Sequence, residues 1–129
     1  MNAEKIKETI HSSLSGKMTF PQIVGLLIQE NIESYHVDFV MAENRYYSIN
    51  GETHVESVPH KFPIAAKEFS ASSVSDIIKK VQAGKINYQQ FIDEVAAAGC
   101  IYYIAYLSGK RVIYFGREGD FHIEHFPKT

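Results

Sequence analysis

Shifted against itself by 68 positions, this 129-residue sequence aligns residues 1–61 with residues 69–129 without a gap. The identical pairs are Ala3/Ala71, Ile10/Ile78, Gly16/Gly84, Lys17/Lys85, Gln22/Gln90, Tyr35/Tyr103, Tyr46/Tyr114, Gly51/Gly119, His54/His122, Glu56/Glu124 and Pro59/Pro127. Scattered identities would mean little. These fall where caps, turns and strand ends belong, and the apolar pattern between them agrees. A repeat of this kind decides the architecture before any single motif does. Each copy, at about 60 residues with one helical layer, buries too little to stand alone. The expectation is therefore one domain over 1–129, built of repeats 1–61 and 69–129 joined by the linker 62–68, FPIAAKE.

Each copy reads as helix, helix, strand, strand, strand. Ile6, Ile10 and Leu14 share one helical face, mirrored by Val74, Ile78 and Val81. Gly16 and Gly84 follow where a helix ends in the left-handed conformation. Ser73-x-x-Asp76 offers a cap for the first helix of the second copy. The next helix opens at Thr19-x-x-Gln22 and at Asn87-x-x-Gln90, both in capping-box form. It buries Phe20, Ile23, Val24 and Leu27, then Tyr88, Phe91, Ile92 and Val95, and stops at Asn31 and Gly99. Tyr35, Val37, Phe39 and Met41 alternate with His36, Asp38 and Val40, a half-buried strand. Its counterpart, IYYIAYL at 101–107, is apolar on both faces and is expected to lie deeper. RYYSI (45–49) and RVIYF (111–115) come next, with Asn50-Gly51 marking a two-residue hairpin, and Pro59 and Pro127 end the last strands. The fold class is α+β: one antiparallel sheet of about six strands with four helices mainly on one face.

Most identities are thereby structural. The repeated His-x-Glu is what remains, together with Tyr46 and Tyr114. Residues two apart on a strand share a face, so His54 lies with Glu56 and His122 with Glu124. The expected location is the sheet face away from the helices, beside His36, Asp38, Tyr46 and Tyr114. An imidazole next to a carboxylate can bind a divalent metal, relay a proton or hold a polar ligand. His36, Asp38, His54, Glu56, His122 and Glu124 are the ligand or metal candidates. A metal needs a third ligand, which His36 or Asp38 could supply in the first copy; their counterparts Ile104 and Tyr106 could not. A second arrangement would gather both His-x-Glu pairs at the symmetry axis if the two third strands were adjacent. Against both stands the plain reading that a solvent-facing strand alternates polar residues anyway.

Other chemistry finds little footing. The chain has no G-x-G-x-x-G, G-x-x-x-x-G-K-[ST], H-E-x-x-H or C-x-x-C. Cys100, the single cysteine, reads as a small buried hydrophobe and suits a reducing compartment, hence the cytoplasm. No apolar run is long enough for a membrane span, and a net charge of -2 without a basic stripe argues against nucleic acid. No cofactor is required. A binding surface competes with the metal reading: Tyr102, Ile104, Tyr106, Tyr114 and Phe126 occupy candidate outer positions, and an uncovered aromatic patch usually meets a partner. The simplest partner is a second copy, as a homodimer.

The entry to the first strand, with Asn31, Ile32, Tyr35, Val37, Asp38 and Phe39 in the pattern N/G-[IV]-x-x-Y-x-V-D-[FL], resembles the YbcV/YdfO-like prophage family, sometimes labelled "phage envelope protein". The resemblance implies a compact α+β fold from bacterial or prophage genomes and brings no catalytic residues with it. The expected function is non-enzymatic binding, with a small metal- or ligand-binding, enzyme-like domain as the alternative.

Overall fold

In the computed structural model, which describes residues 1–127, every element of the second half begins and ends 68 residues after its counterpart. The first half comprises α1 (Ala3–Leu14), α2 (Phe20–Gln29), β1 (Ile32–Asp38), β2 (Glu43–Ser48) and β3 (Thr53–Ser57). The second comprises α3 (Ala71–Gln82), α4 (Tyr88–Ala97), β4 (Cys100–Tyr106), β5 (Arg111–Gly116) and β6 (Phe121–His125).

Local chemistry explains the helix ends. Thr19 and Asn87 each accept the backbone N–H three residues on, while Gln22 and Gln90 reach back to the cap's own N–H, so both capping boxes are complete. The cap of α3 is Ser70, whose hydroxyl accepts from Ser73 N; the helix thus starts one turn before the Ser73 cap the sequence suggested. Asn2 caps α1 at the matching place. Past α2 and α4 the chain turns through Asn31 (φ 63°) and Gly99 (φ 99°). Only glycine fits the second site, because a Cβ there would lie 2.3 Å from the backbone oxygen of Glu68.

The strands form one sheet in the order β3-β2-β1-β4-β5-β6, antiparallel throughout. The first strands of the two copies pair at its centre. There His36 stands opposite Ile104, its own counterpart, so a pseudo-twofold axis passes between them normal to the sheet. The third strands fall at the two opposite edges, about 24 Å apart at the usual strand spacing. The connection from β2 to β3 is a four-residue loop, 49–52, not the two-residue turn expected from Asn50-Gly51, because Ser48 N bonds across it to Glu52 O.

The helices cover one face of the sheet. Ile6, Leu27, Val74, Ile78, Ile92 and Val95 from the helices meet Tyr35, Val37, Tyr46, Tyr103, Ala105 and Tyr114 from the strands. The linker stays on this side too: Phe62 stacks on Phe39 at 5.0 Å, and His60 bonds to Asp93 of α4. Two faces of different character result.

Candidate functional site

Cross-strand register decides which face each side chain takes, since directly paired residues point the same way. Tyr35 pairs with Tyr46 and Tyr46 with His54; Tyr103 pairs with Tyr114 and Tyr114 with His122. The tyrosines are buried under the helices, so both histidines belong to the inner, helix-covered face. Glu56 follows Asn44, and Glu124 follows Val112, onto that same face. The shared outer face expected for His54, Glu56, His122, Glu124, Tyr46 and Tyr114 is thus corrected: all six face inward. As edge residues, the His and Glu side chains sit at the half-buried rim of the helical cover.

The rim geometry is repeated closely. His54 Nε2 lies 3.0 Å from Glu56 Oε1, and His122 Nε2 lies 3.1 Å from Glu124 Oε1. The Tyr46–His54 and Tyr114–His122 ring centroids are 6.4 and 6.5 Å apart. In each pair the imidazole and the carboxylate meet one another where the core meets water, which accounts for the repetition physically. His36 and Asp38 remain on the outer face, separated from His54 and Glu56 by the thickness of the sheet. Asp38 accepts from Val40 N and Met41 N and meets Arg45 at 3.5 Å; Arg45 also bonds to Glu43. His36 packs on Tyr47, and burial, then Arg45, lowers its pKa from the ordinary histidine value. Among the described residues, no three His, Cys, Asp or Glu side chains come together in a group suited to a metal ion. The two third strands do not meet, so the axial gathering of both His-x-Glu pairs does not occur.

The outer face is uncovered, and its halves differ. In the second copy three cross-strand rows run Tyr102–Phe115–Phe121, Ile104–Ile113–Ile123 and Tyr106–Arg111–His125. The matching rows of the first copy are Ser34–Tyr47–Thr53, His36–Arg45–Val55 and Asp38–Glu43–Ser57. Tyr102, Ile104 and Tyr106 therefore stand where the sequence placed them. Deeper burial of their strand holds for one face only: Tyr103 and Ala105 are buried, whereas Tyr102 is 37% and the nearby Phe121 59% exposed. Phe126 is an exception to its expected position. It follows His122 and Glu124 onto the inner side and meets Phe20 edge-on at 5.6 Å.

Beneath the helices, Tyr35, Tyr46, Tyr88, Tyr103 and Tyr114 form a cluster that bridges the two copies, and the Tyr88 and Tyr103 hydroxyls share a 2.6 Å hydrogen bond. Burial raises the pKa of every member; for Tyr46 it reaches about 12. The cluster borders a cavity of about 850 Å³ between the helices and the sheet, reaching the surface near Gly16, Thr19, Lys85 and Asn87. Asn44 lines it and is 7% exposed. Its Nδ2 donates to the Tyr46 hydroxyl at 3.1 Å, but its buried Oδ1 has no partner. An orphaned amide oxygen of this kind costs about 1–3 kcal/mol. Its counterpart Val112 shows that the position accepts an apolar side chain. The sequence signal for Asn44 is that Asn/Val mismatch at a strand position whose neighbours repeat. Cys100 is fully buried, and burial pushes its thiol pKa up to about 12, far from a nucleophile's.

No helix among the described residues is long and apolar enough to cross a membrane. No curated protein matches the chain. A family model does, over residues 8–125, from the end of the first turns of α1 to the last residue of β6, and so takes in both copies. With nearly the whole length matched, the chain belongs to the family described as "Protein of unknown function (DUF1398)".

Proposed function

We propose that this chain is a non-enzymatic binding protein that self-associates through the outer sheet face of its second repeat. The observation that carries the reading is the uncovered patch formed by Tyr102, Phe115, Phe121, Ile104, Ile113, Ile123 and Tyr106. Contiguous apolar surface of this kind is unfavourable in water and is relieved by docking. A second copy is the simplest occupant. In a twofold dimer the apolar halves face one another, while the Asp38–Arg45–Glu43 network of the first half stays hydrated. A cytoplasmic location goes with this proposal, supported by a lone buried thiol that no disulfide uses. So does a prophage-type origin, supported by the Asn31–Phe39 resemblance.

Sedimentation equilibrium on the untagged chain tests the proposal. The expected result is a concentration-dependent dimer that Ile113→Asp, at the centre of the patch, converts to monomer. A wild-type chain that stays monomeric at every concentration would sink it.

A further inference from the structure

We propose that the end of the sheet beside the linker binds the carboxy-terminal residue of a partner polypeptide, its apolar side chain in a small pocket and its α-carboxylate on Arg117. The site lies on the helix-covered side, where Phe62 stacks on Phe39, and is therefore independent of the outer face.

The pocket forms where the β1–β2 turn, the start of β4 and the linker meet. Phe39, Val40, Phe62, Ile64 and Ile101 line it, and at about 310 Å³ it lies at the small end of ligand pockets. Around it Val40, Met41 and Ile64 are exposed, Ile64 by 93%. The turn itself does not require apolar residues. Its counterpart at 108–110 reads Ser-Gly-Lys, and Lys110 repeats the left-handed conformation of Ala42, φ 54° against 52°. Apolar side chains at an exposed tip, in a turn that polar residues hold equally well, point to contact with a partner.

Arg117 sets the charge of that partner. It is exposed, and it is the charged side chain that lines the pocket. One guanidinium N–H donates to Ala65 O at 3.3 Å, which holds the head group at the pocket's edge. Among the described residues no carboxylate pairs with it. Its remaining donors suit an incoming carboxylate, the group by which chain ends are captured. A lone guanidinium among apolar walls matches a monoanion, since a phosphate dianion would leave charge uncompensated there. A free acid of pocket size would leave Met41 and much of Ile64 in water, whereas a chain running on from the pocket covers them. The counterpart of Arg117 is Ile49, so the other end of the sheet does not repeat the site.

A fluorescein-labelled Gly-Gly-Gly-Leu peptide with a free carboxy-terminus, and the same peptide as its amide, test the proposal on the full chain by fluorescence anisotropy. The expected result is saturable binding of one acid-form peptide per chain, with the amide roughly tenfold weaker, as for the loss of a charged hydrogen bond. Arg117→Gln, which keeps a donor for Ala65 O, should bring the acid down to the level of the amide. Val40→Ser with Met41→Gly, which writes the second copy's turn onto the first, should weaken the peptide several-fold and leave self-association unchanged. Ile113→Asp, on the outer face, should leave peptide binding intact. Absence of saturable binding overturns the proposal. So does equal affinity for acid and amide, or undiminished binding of the acid by folded Arg117→Gln. N-acetyl-leucine matching the peptide in affinity would assign the pocket to a free acid, and loss of self-association in the turn variant would assign the tip to a second copy; either result overturns it. If Arg117→Gln does not fold, the wild-type comparison of acid and amide decides alone.

Discussion

The inner and outer faces of the sheet show what each copy has kept and what it has changed. On the inner face the paired positions 35/103, 46/114, 54/122 and 56/124 are Tyr/Tyr, Tyr/Tyr, His/His and Glu/Glu. On the outer face 34/102, 36/104 and 38/106 are Ser/Tyr, His/Ile and Asp/Tyr. The difference is one of constraint. Inner residues must fit the helices that cover them and one another across the axis, as Tyr35 does Tyr103, so a change in one copy is felt by the other. Outer residues meet solvent, and one half has become charged while the other has become aromatic. Asn44, whose counterpart is Val112, is where a buried inner position changes from polar to apolar between the copies, and it lies beside the cavity.

The largest test of this comparison uses alkali. The buried tyrosines have raised pKa values in the fold, so the stability they contribute is fully present below pH 10 and is lost as pH rises toward their folded values. Each one that ionises only on unfolding adds about 1.4 kcal/mol per pH unit to the slope. Tyrosinate absorbance and circular dichroism should therefore change together, steeply, above pH 10. Ionisation of the cluster with the fold intact would mean that the inner face is not one packed unit.

A smaller effect separates the two helix exits. Gly99→Asn copies the first repeat into a site where a Cβ meets backbone, and it should lower stability in urea by about 2 kcal/mol or more. Asn31→Gly, the reverse exchange, should change it by only a few tenths of a kcal/mol, since that position already holds φ 63°. Equal costs would show that the linker does not press on Gly99.

The smallest concerns the rim pairs. His54→Ala and His122→Ala each remove one partially solvated hydrogen bond, about 0.5–1 kcal/mol. Because the two geometries match, their urea midpoints should shift alike. A loss at one edge several times that at the other would point to a role for that histidine beyond closing the rim.

Much of this was legible in the sequence, for reasons that can be named. Helix limits were readable from Thr19, Gln22, Asn87 and Gln90 because capping is local chemistry between residues three apart. The sheet's existence followed from period-two patterning. Strand order did not, because nothing local distinguishes a centre from an edge. Nor did the face taken by His54 and Glu56: alternation shows that they share one, register decides which, and an exposed Val55 on the opposite face gives no warning. At an edge strand the inner face reaches water, so a polar pair is tolerated there. Aromatic neighbours suggest an outward place for Tyr114 and Phe126, yet both turn inward. The cavity left no periodic trace at all, since empty space between layers depends on how helices and sheet meet.

Binding through the outer face of the second repeat, as proposed, and folding through the inner face are separable by mutation. Sedimentation velocity on the triple variant Tyr102→Ser, Ile104→His, Tyr106→Asp tests it most directly, because these substitutions write the first copy's outer strand onto the second. The account expects a wild-type dimer, a monomeric variant, and unfolding midpoints in urea that differ by no more than about 1 kcal/mol in stability. A variant that still dimerises as the wild type does, or one that unfolds outright, would contradict it.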